Sequence, residues 1–123
     1  MDILSLIPRA IDKKIKHPKT GAYVGLTLTL RSPEDEVMQD ALFQYQQSYG
    51  TSSAERTHAA KEFIVHAVSD WRFEAGDDGE QAHLNGNKAP KCSAENKRTV
   101  AASPIVRSQV IQEYLDQSNF YPA

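Results

Sequence analysis

A chain of 123 residues holds about one domain, and with 40% hydrophobic and 24% charged residues it has an ordinary globular composition. Its apolar stretches are only a few residues long, which excludes a membrane-spanning helix of about 20, and no cationic start followed by an apolar run marks a secretory leader. A net charge of -2 argues against a dedicated nucleic-acid binder, and a single cysteine, Cys92, excludes an internal disulfide or a cysteine-rich zinc cluster and suits a reducing interior.

The first predicted element is a β-hairpin over residues 9–31. Val24, Leu26, Leu28 and Leu30 alternate with Tyr23, Gly25, Thr27 and Thr29, the period-two pattern of a half-buried strand. Ile11 and Ile15 share a parity upstream, and His17-Pro18-Lys19-Thr20-Gly21 supplies turn chemistry between the two arms. Gly25 marks either a bulge or a close backbone approach. Ser32-Pro33-Glu34-Asp35 then puts a hydroxyl at an N-cap, proline at the first helical position and acids in the first turn, predicting a helix over 33–48 that fades before Gly50.

Ser52-Ser53-Ala54-Glu55 is a capping box. Ala60, Phe63, Ile64, Ala67, Val68 and Trp71 follow at helical spacing and predict a helix over 53–71. Residues 72–92 are polar and rich in Gly, Asp and Asn, long for a structureless loop, so they are either mobile or folded as a small irregular ribbon. Ser93 opens a helix over 93–102, and Ser103-Pro104 opens another over 104–118 with Val106, Val110, Ile111, Tyr114 and Leu115 on its apolar face. The expectation is a single α+β domain over 1–123, mainly α: a hairpin extension over 1–31 and a helical body over 32–123 carrying the loop 72–92. A lone hairpin is marginal in water, so it must pack on the helices or on another copy of the chain. Its open edges point to a homo-oligomer.

Nothing in the chain predicts an enzyme, a cofactor or a metal. His58 and His66 lie eight apart, about 12 Å along a helix, too far to share an ion; they read as a surface and a half-buried histidine. Asp77-Asp78-Gly79-Glu80 with His83 lacks the alternate-oxygen spacing of a calcium loop and reads as a solvated turn. Cys92 sits before a helix start beside Lys91, but neither feature is specific, and a lone cysteine at a loop–helix junction reads as inert. No GxSxG, P-loop or GxGxxG occurs.

Two sets of residues are candidates for partner binding. Lys13, Lys14, Lys16 and Lys19 gather with His17 at the hairpin tip, suited to an acidic protein or to edge protection more than to nucleic acid. Phe43, Tyr49, Phe120 and Tyr121 fall off the apolar stripes or near the end of the chain, and aromatics favour interface cores.

Read in order, three segments resemble one family. The first is His17-Pro18-Lys19-Thr20-Gly21, then Val24-Gly25-Leu26-Thr27-Leu28, then Arg31-Ser32-Pro33-Glu34. The second is Trp71 followed by Asp77-Asp78-Gly79. The third is Ser93-Ala94-Glu95-Asn96, then Pro104 through Gln109 and Val110, closing on Asn119-Phe120. This order is similar to the small tail assembly chaperones of long-tailed bacteriophages and prophages, over nearly the whole chain. Ser32, Pro33, Trp71, Ser93, Glu95, Asn96, Pro104, Gln109, Asn119 and Phe120 carry the likeness. The chain departs from the family in having Pro90-Lys91-Cys92 without a phenylalanine before Ser93, and in a longer loop with Asn85-Gly86-Asn87. The resemblance implies a non-catalytic protein of the host bacterial cytoplasm, absent from the finished virion. It implies binding of the tape measure protein and recruitment of tail tube protein; the short apolar stretches argue against a membrane partner and the net charge against nucleic acid. Two other readings stand beside it: a virion structural protein, such as a head–tail joining or minor tail component, and a small nucleic-acid-binding regulator using the basic tip.

Overall fold

A computed structural model gives the fold, and residues 1–122 are described. After a short 3-10 turn at Ile3–Leu6, the chain forms strands β1 (Ile11–Lys16) and β2 (Tyr23–Leu30), helices α1 (Glu36–Gln47) and α2 (Ser53–Ala67), strand β3 (Val68–Phe73), helices α3 (Ala94–Ala101) and α4 (Pro104–Leu115), and a closing 3-10 turn at Gln117–Phe120. The architecture is α+β, mainly α, in two layers: a three-stranded antiparallel sheet in the order β1-β2-β3, with the helices packed on one face.

Alternation in β2 puts Leu26, Leu28 and Leu30 on the helical side, all buried, while Val24 at the strand's start remains exposed. Leu28 lies opposite Lys13 on one neighbour and Trp71 on the other, and Leu26 lies opposite Phe73. Met38 of α1, Phe63 and Ile64 of α2, and Val110 and Tyr114 of α4 complete the core with Phe120. The rings of Tyr45, Phe63, Tyr114 and Phe120 form a continuous run with centroid spacings of 5.2, 5.2 and 4.9 Å. Each such side chain taken from water contributes about 1.5–3 kcal/mol. The opposite face of the sheet carries Asp12, Lys14, Asp70 and Arg72, all exposed.

Three of the predicted boundaries shift, each for a local reason. The helix expected over 53–71 stops at Ala67, and residues 68–73 are a third strand. Val68 and Trp71 fit a helical stripe, but Trp71 and Phe73 also alternate, and the strand wins because β2 would otherwise leave an edge unpaired. The switch is held by Arg31, whose amide donates to the Ala67 carbonyl at 2.9 Å and whose Nε donates to the His66 carbonyl at 3.0 Å. The hairpin is therefore not alone: it packs on the helices and pairs with β3, which leaves β1 and β3 as the sheet's open edges.

The helix expected from residue 33 begins at Glu36. Asp35 is its cap, its carboxylate accepting from the Val37 amide at 2.8 Å. The Ser32 hydroxyl instead accepts from the Glu34 amide at 3.2 Å and donates to the Pro8 carbonyl at 3.3 Å, and Pro33 is buried in that preceding turn. The last helix ends at Leu115, because the Asp116 side chain caps the closing 3-10 turn through the Ser118 amide at 3.2 Å.

Of residues 72–92, the first two end β3 and residues 74–92 fold as the irregular ribbon, with isolated bridges Ala75 to Gln81 and Leu84 to Asn87. Gly25 is where the ribbon crosses the sheet. Its φ is +94°, and an added Cβ would lie 2.2 Å from the Glu74 carbonyl oxygen, so both conformation and space exclude a side chain.

Candidate partner-binding surface

The basic hairpin does not form one patch. Lys13 faces the helices, and its Nζ lies 2.8 Å from Oε1 of Glu113, which is buried on α4. The other Glu113 oxygen accepts from Nδ2 of Asn119 at 2.9 Å. Lys14 faces the open side, 5.3 Å from the centroid of the Tyr23 ring. At Lys16 the backbone is bracketed by Gln109: the amide donates to Oε1 at 2.9 Å and Nε2 donates to the carbonyl at 2.7 Å. Lys16 and Lys19 keep exposed side chains. Of the four lysines proposed for binding, one is committed to an internal ion pair.

The aromatic set divides as well. Phe120 is 1% exposed and belongs to the core, so it cannot be a docking residue. Its position near the end of the chain concealed that the closing turn folds back under β1, where the Arg9 amide donates to the Phe120 carbonyl at 2.6 Å. Phe43, Tyr49 and Tyr121 are exposed.

The residues that carry the family likeness have structural occupations. Ser93 Oγ accepts from the Asn96 amide at 3.2 Å, and Asn96 Nδ2 donates to the Lys91 carbonyl at 2.9 Å, fixing the start of α3. The Glu95 carbonyl accepts from the Thr99 hydroxyl at 3.2 Å. Pro104 is the first residue of α4, after the Ser103 cap. Trp71, expected at the end of a long helix, lies in β3 and donates through Nε1 to the Pro90 carbonyl at 2.8 Å. Gln109 and Asn119 join α4 and the closing turn to β1, as described.

The polar groups considered for chemistry are also engaged. The Asp78 carboxylate accepts from the Glu80 amide at 2.9 Å, as in a turn, whereas Asp77 ties the ribbon to the start of β2 by accepting from the Tyr23 amide at 3.0 Å. Burial pushes the Cys92 thiol above its ordinary pKa, the opposite of activation. His58 and His66 are both exposed, so His66 is not half-buried. Arg98 reaches Glu62 through two bonds of 2.8 and 3.2 Å, and this contact lowers the glutamate's pKa. The Tyr23 hydroxyl donates to Glu74 at 2.6 Å beside Thr27 at 2.7 Å; burial first, and Glu74 second, raise its pKa. Among the described residues, no group of three or more His, Cys, Asp and Glu is placed to hold a metal ion, and no helix is long and apolar enough to cross a membrane.

Two surfaces lie outside these candidates. One is a groove of about 580 Å³ between α1 and α2, with Val37, Ala41, Tyr45, Ala59 and Phe63 as its apolar lining and Asp40, His58, Glu62 and His66 among its polar residues. The helical spacing of α1 and α2 identified their buried stripes but not the gap between the two helices, which depends on how far apart they pack. The other is the N-terminal segment, where Met1, Ile3, Leu4, Leu6 and Ile7 are each more than half exposed. Ile3, Leu6 and Ile7 stand at i, i+3 and i+4, but over a single turn, too short a window for periodicity to register. Compared with known proteins, the chain matches no protein-family model, no curated protein and no solved structure.

Proposed function

We propose that the protein is a tail assembly chaperone of a long-tailed phage or prophage: a non-catalytic binder that keeps apolar helical segments of a tape measure protein soluble while tail tube subunits gather around it. The observation that carries the reading is the α1–α2 groove, along which Val37, Ala41, Tyr45, Ala59 and Phe63 present apolar surface. Helix-in-groove recognition uses such channels, the client placing side chains at i, i+3, i+4 and i+7 along the floor. The ordered motif residues from Ser93 to Asn119 support it from the sequence side. Phe43 on α1 and Tyr49 beyond its end are further exposed aromatics, outside the groove itself.

The basic-tip reading loses support because Lys13 is paired with Glu113 and Lys14 lies over Tyr23. Co-expression with a tape measure protein tests the proposal. The expected result is a several-fold rise in soluble tape measure protein and recovery of the two chains together. Unchanged solubility with no co-purification contradicts it. Mass spectrometry of purified particles separates the chaperone from a virion component, since only the latter remains in the finished tail.

A further inference from the structure

A cavity of about 560 Å³ opens between α2, α4 and the end of α1, sharing only Tyr45 with the α1–α2 groove. Among the described residues, its charged lining is Arg56 of α2 and Arg107 of α4, and no carboxylate faces it. The two helices contribute matching pairs: each Arg is the fourth residue of its helix and is followed by a hydroxyl, Thr57 or Ser108. Nη1 of Arg107 donates to the Ala101 and Ala102 carbonyls at 2.8 and 3.1 Å, which fixes the guanidinium and leaves Nε and Nη2 without a protein acceptor among the described residues. Arg98, Arg72 and Lys13 are each paired with a glutamate, whereas neither Arg56 nor Arg107 forms an ion pair among the described residues. Two like charges in one cavity repel, and an anion shared between them relieves that cost.

We propose that this cavity binds the phosphoryl group of a small phosphate monoester, bridged between Arg56 and Arg107. A guanidinium fork meets phosphate oxygens through two parallel bonds. One fork already satisfies both oxygens of a carboxylate. Two forks with the hydroxyls of Thr57 and Ser108 match instead the three acceptor oxygens of a phosphoryl group. The volume lies within the range of about 300–1,000 Å³ typical of small-molecule sites, so room remains for an organic group beside the phosphate. The Tyr49 ring, exposed and edge-on to Tyr45 at 5.6 Å, and Ile111 give that group an apolar wall. With a net charge of -2 the whole chain does not attract anions, so any anion affinity must be local. The inference does not depend on the proposed function.

An amide-resolved NMR titration of the full chain tests this, in low-salt buffer at about pH 7.5, where a phosphate monoester is mostly the dianion. The probes are inorganic phosphate, adenosine 5′-monophosphate and adenosine, each taken to about 10 mM because ligands of few atoms bind weakly. Phosphate and the monophosphate should shift the amides of Arg56, Thr57, Arg107 and Ser108 saturably, and adenosine should not. A tighter constant for the monophosphate supports the site with its apolar wall engaged; equal constants support it through the phosphoryl group alone. Arg56→Gln, at an exposed residue, should weaken both phosphate probes about tenfold or more. Arg107→Lys keeps the charge but loses the fork and should weaken them as well. Lys88→Gln removes an equal charge from the exposed ribbon and should change nothing. Circular dichroism confirms that each variant is folded, and Arg56→Gln alone decides if Arg107→Lys is not. The absence of saturable shifts, shifts centred elsewhere, adenosine binding as tightly as its monophosphate, undiminished binding by Arg56→Gln, or an equal loss in Lys88→Gln overturns the proposal.

Discussion

The seam between β1, α4 and the closing turn contrasts with the surface made by α1, α2 and the N-terminal turn. In the seam, Lys13, Glu113 and Asn119 satisfy one another, Gln109 brackets the backbone of Lys16, and Phe120 fills the space beneath. On the other surface, large apolar side chains are left in water: Phe43 and Tyr49 on one side, Ile3, Leu4, Leu6 and Ile7 on the other. Motif residues are thus concentrated where the fold is held, and binding potential where few motif residues lie. A likeness built on Gln109, Asn119 and Phe120 therefore speaks first for a shared fold.

Substitutions at Phe120 and Phe43 should separate the two regions most widely. Phe120→Ala should cost about 3–5 kcal/mol of unfolding free energy, the usual range for emptying a buried aromatic site. Phe43→Ala should stay within about 0.5 kcal/mol of wild type. Urea titrations of both variants read the difference, and equal costs would erase the contrast. Next in size is Gly25→Ala, which places a methyl group against the Glu74 carbonyl at a left-handed φ and should cost about 3 kcal/mol or more. Gly21→Ala at φ +72° meets nothing within 4 Å and should cost about 1 kcal/mol.

Within the seam, Glu113→Ala strands the part-buried Lys13 ammonium and should cost about 2–3 kcal/mol, falling toward 1 in Lys13→Met/Glu113→Leu, where neither charge remains. A thermal melt of both variants decides between a stranded charge and a lost contact.

Tyr114 gives a small effect with a pH signature. Its hydroxyl donates to the Arg31 carbonyl at 2.7 Å, and burial raises its pKa. A raised pKa means the fold favours the neutral phenol. This contribution is complete below the unfolded value of about 10 and is lost as pH climbs from there toward the folded value. Tyr114→Phe should cost about 1 kcal/mol at neutral pH and flatten the loss of stability above about pH 10, which denaturant midpoints measured across that range would show.

Much of this frame was legible because its signals are local. Leu26, Leu28 and Leu30 alternate within one strand, and the caps at Ser52, Ser93 and Ser103 each bond an amide three residues on. The missing strand was illegible because Val68 and Trp71 satisfy the helical period while Trp71 and Phe73 satisfy the strand period, and only the free edge of β2, some 40 residues away in sequence, decides between them. The cap passed to Asp35, whose carboxylate accepts from the Val37 amide, while the Ser32 hydroxyl accepts from Glu34 in the preceding turn and reaches Pro8, 24 residues back. The role of Gln109 was hidden for the same reason, since its partner Lys16 is 93 residues distant. The groove is the extreme case: it is a space between helices, and no residue pattern encodes a space directly.

The central claim is that binding resides in the α1–α2 groove and not in the motif-bearing seam. Recovery of a co-expressed tape measure protein by wild type and by Ala59→Arg, both confirmed as folded, tests it most directly. The account predicts that wild type recovers the partner and that Ala59→Arg loses at least about nine-tenths of it, the tenfold drop that 1.4 kcal/mol of lost binding produces. Equal recovery by the two proteins, or none by either, would contradict it.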